Sequence, residues 1–175
     1  MSVKKKILGI CGSASSNSGN LAILRFIAEI KYVAWKVDMI EDLSDFPHFR
    51  TEWTDRDVPQ KILELRRKIV DADGVIICTP EYVFSIPSGL KNLIEWCVST
   101  TVFSDKPTGL ITASASGVKG HEELQLIMKT VQCQLSRDTS ILIQGIKGKV
   151  ADGKIIDART IVQLNQFIDA FAAMI

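Results

Sequence analysis

Residues 74–96, "GVIICTPEYVFSIPSGLKNLIEW", run from an unbroken apolar stretch through an irregular span bounded by Pro80 and Pro87 into apolar residues at helical spacing. The apolar stretch ends abruptly at Thr79 and shows no polar alternation, as expected of a strand covered on both faces. Two prolines remove two backbone donors and restrict φ, so the connection is stiff. Strand, stiff loop and helix together form one β–α unit.

The same pattern recurs on either side. Upstream, "KILGIC" (6–11) is an apolar strand, and "NLAILRFIAEI" places Leu21, Leu24, Ile27 and Ala28 on one helical stripe. "WKVDMIED" from Trp35 alternates like a partly exposed edge strand, and the turn-rich 43–59 leads to a helix over "QKILELRRKIVDAD". Downstream, "PTGLITASA" precedes a helix through "HEELQLIMKTVQCQLS", and "TSILIQGI" leads through Gly-rich "KGKVADGK" to a last helix, "DARTIVQLNQFIDAFAAM". The helix after Pro87 is predicted to run through "SGLKNLIEWCVST". Five such units predict an α/β chain: a five-stranded parallel sheet between two helical layers, flavodoxin-like, with strand order 2-1-3-4-5. With no repeat or linker, residues 1–175 read as one domain.

Composition excludes several functions. The chain has 175 residues, with 21 basic against 20 acidic, so no general electrostatic attraction to nucleic acid or acidic partners exists. The run Lys4-Lys5-Lys6 is read as a solubilising flank of the first strand. Cys11, Cys78, Cys97 and Cys133 form no CxxC pair, and no metal site is expected. They read as reduced core thiols, which together with the absence of a membrane-length apolar window predicts a cytoplasmic protein.

In a sheet of this order, ligands bind beyond the carboxyl ends of the strands where strand order reverses. The relevant loops follow strands one, three and four. "GSASSNSGN" (12–20) lacks the G-x-G-x-x-G spacing and the Gly-Lys-Ser/Thr ending of a P-loop. Its hydroxyls and amides feed a helix N-terminus, which suits a single terminal phosphate; Ser18 can equally serve only as a helix cap. The span 80–86 offers Tyr82, Phe84 and backbone polar groups to a flat heterocycle, or is simply a rigid connection. "TASASGVKG" (112–120) lets backbone approach a ligand closely. Together the loops point to a mononucleotide with a large planar ring, FMN.

These residues resemble the NADPH-dependent FMN reductases of flavodoxin-like fold, which include quinone, azo-dye and chromate reductases. Of the family pattern G-S-x-R-x-x-S-x-N, Gly12, Ser13, Ser18 and Asn20 match, and Ser15 stands in the arginine's place. Of P-E-Y-N-x-S-x-P-G-x-L-K-N, Pro80, Glu81, Tyr82, Ser85, Pro87, Leu90, Lys91 and Asn92 match; Val83 replaces asparagine and Ser88 replaces glycine. The resemblance implies that Ser13, Ser15, Ser18 and Asn20 hold the FMN phosphate. It also implies that Pro80, Glu81, Tyr82 and Val83 line the ring and that Ser114, Ser116 and Gly117 close the other side.

The resemblance further implies ping-pong transfer of hydride from NADPH or NADH to flavin N5, then reduction of a small acceptor: flavin, quinone, azo compound or metal oxyanion. No catalytic side chain is required, because the flavin carries the chemistry. His48 and His121 are read as surface or helix-start residues and Glu81 as structural. A homodimer or homotetramer is implied as well. Two rivals are a flavodoxin-like electron carrier, disfavoured by the near-zero charge, and a flavin-free scaffold. Loss of the arginine at Ser15 removes a contact of roughly 1.5–3 kcal/mol, and the change at Val83 removes a side-chain amide from the ring's surroundings.

Overall fold

The computed structural model describes residues 4–175. The strands are β1 (Lys5–Cys11), β2 (Trp35–Ile40), β3 (Gly74–Thr79), β4 (Thr108–Ser114) and β5 (Ser140–Gln144). They form one parallel sheet in the order β2-β1-β3-β4-β5, as the β–α repetition predicts. Burial follows position in that order. Every residue of β3 and β4 is buried, whereas the edge strands β2 and β5 are only partly covered.

Five helices cover the sheet: α1 (Gly19–Glu29), α2 (Gln60–Asp71), α3 (Ser88–Glu95), α4 (Val118–Thr130) and α5 (Ala158–Ala172). Side chains of successive strand residues point to opposite faces, so β1 divides between two cores. Ile7 and Cys11 join a cluster with Leu24, Ile27, Phe167 and Phe171, which places α1 and α5 on one face. Leu8 and Ile10 join Leu65, Ile69, Leu90, Leu93 and Leu124, which places α2, α3 and α4 on the other.

Three boundaries differ from the sequence expectation by three residues or more, each for a local reason. The helix after Pro87 ends at Glu95, five residues short of Thr100. Arg66 donates to the Trp96 carbonyl at 3.0 Å through Nε, and the amides of Val98 and Thr100 turn to the carbonyls of Glu95 and Cys97 in tighter i→i−3 bonds. The fourth helix begins at Val118 rather than His121, because Gly117 takes φ +84° and starts the turn three residues earlier. It stops at Thr130 because Gln132 adopts φ +62° and Gln134 bonds to Lys106 beside β4.

The Gly-rich stretch after β5 is also more ordered than a loop. A 3-10 turn at Ile146–Lys149 is followed by β6 (Val150–Ala151) and β7 (Lys154–Ile155), an antiparallel hairpin turned at Asp152-Gly153 with φ of 49° and 71°. Asp-Gly with two positive φ values is the preferred two-residue hairpin turn. No helix among the described residues is long and apolar enough to cross a membrane.

Candidate active site

The loops after β1, β3 and β4 meet at one rim of the sheet. In the first, the Gly12 amide donates to the Cys78 carbonyl at 2.8 Å and extends the β1–β3 ladder into the loop. The Ser13 hydroxyl accepts from the Ser15 amide at 3.2 Å, and Ser18 caps α1 by accepting from the Leu21 amide at 3.1 Å. No partner among the described residues takes the amides of Gly19 and Asn20, and no acidic residue stands in the first turn of α1. Unpaired N–H groups, hydroxyls and a helix dipole free of carboxylates form a donor set that fits a phosphomonoester.

Asn20 plays a different part from its neighbours. Its side chain is buried, donates to the Ala113 carbonyl at 3.1 Å and accepts from the Cys78 thiol at 3.4 Å. Only its backbone faces the loop; the side chain fastens α1 to β4 and β3. Ser15 is exposed, so the arginine position carries no charge.

The span after β3 is stiff for a reason beyond its prolines. Tyr82 and Ser85 exchange two backbone hydrogen bonds, of 2.9 and 3.0 Å, around Val83 and Phe84, whose φ angles are 53° and 58°. This is a two-residue hairpin turn, and valine in that left-handed region is strained by roughly 1–3 kcal/mol. Asparagine tolerates the region, so the asparagine usual in the family pattern has a conformational role here. Val83 itself is 95% exposed. Val83→Asn is expected to raise stability by about 1 kcal/mol, read as a higher thermal midpoint.

Glu81 joins the second loop to the third. Its carboxylate accepts from the Gly117 amide at 3.2 Å and from the Gly120 amide at 2.8 Å, across the N-terminus of α4. Glu123 answers from α4 by accepting from the Ile86 amide at 3.3 Å. The Glu81 side chain is therefore an anchor, and the backbone around Pro80 and Tyr82 is what remains for a ligand. Ser114 is buried at the end of β4, while Ser116 is exposed beside Gly117.

Sequence reasoning missed the burial of His121. It is in the first turn of α4, as expected, but buried, with Nδ1 2.8 Å from the Thr112 hydroxyl and Nε2 3.4 Å from the Ser140 hydroxyl. His48 is exposed. Burial pushes the His121 pKa below its ordinary value, with Glu122 opposing in part. The unfolded chain then binds a proton that the folded chain resists, so stability is full above about pH 6.5 and declines as pH falls toward the lowered folded value. Between pH 7.5 and 5.5 the thermal midpoint is expected to fall further in the wild type than in His121→Gln.

The thiols are inert. Burial raises the pKa of Cys11 and Cys78, and pushes Cys97 up to about 12 and Cys133 up to about 11, so all four stay protonated at neutral pH. Among the described residues, no group of three or more His, Cys, Asp or Glu side chains is arranged to hold a metal ion.

Residues 5–145 match the sequence profile of the NADPH-dependent FMN reductases. The chain belongs to this family, and is thereby an FMN-dependent NAD(P)H oxidoreductase. A quinone reductase of Escherichia coli (strain K12) is 29% identical over 100% of this chain and 97% of its own length. The NADH:(hydroxy)cinnamate reductase subunit CrdA of Vibrio ruber is 31% identical over 94% of this chain and 84% of its own. Among solved structures, the flavoenzyme NAD(P)H:(acceptor) oxidoreductase FerB from Paracoccus denitrificans superposes with a TM-score of 0.78 at 25% identity, covering 97% of this chain and 96% of that one.

Proposed function

We propose that this chain is a quinone- or flavin-reducing NAD(P)H oxidoreductase whose FMN lies across the three rim loops. The observation that carries this reading is a helix N-terminus with unpaired amides and a rigid backbone ledge that follow the adjacent strands β1 and β3. FMN bound there supplies the redox chemistry, accepting hydride from a reduced nicotinamide and passing two electrons to a small acceptor.

The residues around it bind and position. The hydroxyls of Ser13, Ser15 and Ser18 and the amides of Gly19 and Asn20 serve the phosphate. The backbone of Pro80, Glu81, Tyr82 and Val83 serves one edge of the ring, and Ser114, Ser116 and Gly117 serve the other. Glu81 holds the two ring-binding loops in register, so the ledge needs no rearrangement on binding. No side chain is assigned a proton transfer.

Quinones are favoured as acceptors by the quinone reductase of E. coli, which matches the chain from end to end. We also place in this reading a single domain over 1–175, a cytoplasmic location, and a homodimer or homotetramer. The two cores share one sheet, which supports the first of these. The test is steady-state kinetics with NADPH varied against several fixed benzoquinone concentrations. Parallel double-reciprocal lines are expected. An FMN-loaded protein that turns over neither NADPH nor NADH with any quinone or free flavin is instead a carrier.

A further inference from the structure

Ser15 leaves the phosphate loop without the cation usual in the family pattern, and the structure offers another one. A cavity of about 480 Å³ opens at the N-terminus of α1, lined by Asn17, Ser18 and Gly19 on one side and by Ile146, Lys147 and Val150 on the other. Its wall is fixed rather than loose. Gly145 donates to the Ala115 carbonyl at 3.1 Å, which ties the 3-10 turn to the loop after β4. Ile146 then packs so closely on Gly19 that a Cβ there would lie 2.5 Å from Ile146 Cγ1. Lys147 is the next residue along, exposed and without an ion-pair partner among the described residues.

Two other charged residues line this cavity. Arg25 is held by Glu41 at 2.9 Å, and Asp152 sits at the hairpin turn. Arg25 is thus already paired, and Asp152 repels an anion. Lys147 and the N-terminus of α1, with its unpaired amides, border the same cavity, which favours an anion between them.

We propose that Lys147 supplies the cationic contact to the FMN phosphate that Ser15 cannot. This rests on the reading of the rim as an FMN site. It places a binding residue on the connection between β5 and α5, outside both motifs that identify the family. Charge-assisted contacts to phosphate are about twice as strong as neutral ones, and an exposed lysine adds a part that salt screens.

The test is fluorescence titration of the apoprotein with FMN and, separately, with riboflavin, which lacks the phosphate. Lys147→Ala is expected to weaken FMN binding about tenfold at low salt while leaving riboflavin unchanged, so the preference for FMN over riboflavin shrinks by the same factor. Ser15→Arg in the Lys147→Ala background is expected to restore it. Unchanged FMN affinity in Lys147→Ala, or an equal loss for both ligands, would overturn the proposal. A wild-type protein that binds neither flavin would overturn the FMN reading itself, and the role of Lys147 with it.

Discussion

Gly12→Ala is expected to lower stability by about 3 kcal/mol and to abolish FMN binding. A Cβ at this position would meet the Thr79 hydroxyl and lie 2.6 Å from Thr79 Cβ and 3.0 Å from Leu90 Cδ2. Thr79 and Leu90 are fully buried, and the Gly12 amide is fixed by its bond to Cys78, so neither side of the contact can retreat. The backbone must move, and the loop proposed to hold the phosphate begins with that backbone. Gly9→Ala, within β1, is the control: the nearest atoms to its Cβ would be Val37 Cγ1 at 3.3 Å and Met39 Cγ at 3.4 Å, on partly exposed side chains that can shift. Thermal midpoints and FMN titrations on the two variants separate this contact from a general effect of adding a methyl group at a glycine in or beside β1.

Glu81→Ala is expected to cost about 3 kcal/mol of stability and to weaken FMN binding more than tenfold. Its carboxylate satisfies two amides at the start of α4, and each hydrogen bond to a charged acceptor is worth roughly 1.5–3 kcal/mol before solvent exposure reduces it. The negative charge also opposes the positive end of the helix dipole. Glu81→Gln is expected to recover little, because an amide that accepts from one N–H presents its own NH₂ to the other. If Glu81 were instead a proton donor to substrate, Glu81→Gln would bind FMN normally and lose only turnover. Comparing FMN affinity with kcat for both variants decides between these roles.

Much of the fold is written in local pattern. The apolar run Gly74–Thr79 reads as a buried central strand and is one, and the alternating Trp35–Ile40 reads as an edge strand and is one. Such signals survive because each strand's surroundings are uniform along its length. The site is less legible. Ser18 announces itself as a cap, but Glu81 serves amides 36 and 39 residues away, and Asn20 serves a carbonyl 93 residues away. No periodicity links such partners, and each of these side chains faces inward although its residue type suggests a ligand contact.

Val83 shows a second limit. Its identity alone signals a lost amide, whereas its backbone, at φ 53° in a turn, shows strain that no residue-type argument contains. The Asp152-Gly153 hairpin is the opposite case. Its dipeptide is a local turn signal, but the Gly-rich stretch around it reads as plain loop. The 3-10 turn before that hairpin places Lys147 at the cavity beside the N-terminus of α1.

In the proposed function the three rim loops hold an FMN that a nicotinamide can reduce. Anaerobic mixing of the FMN-reconstituted protein with NADPH, followed by stopped-flow absorbance in the flavin band, tests it most directly. The expected result is a yellow protein whose flavin band bleaches within seconds and recovers when a quinone is added. A protein that stays colourless after incubation with FMN, or a bound flavin that neither NADPH nor NADH bleaches, would contradict it.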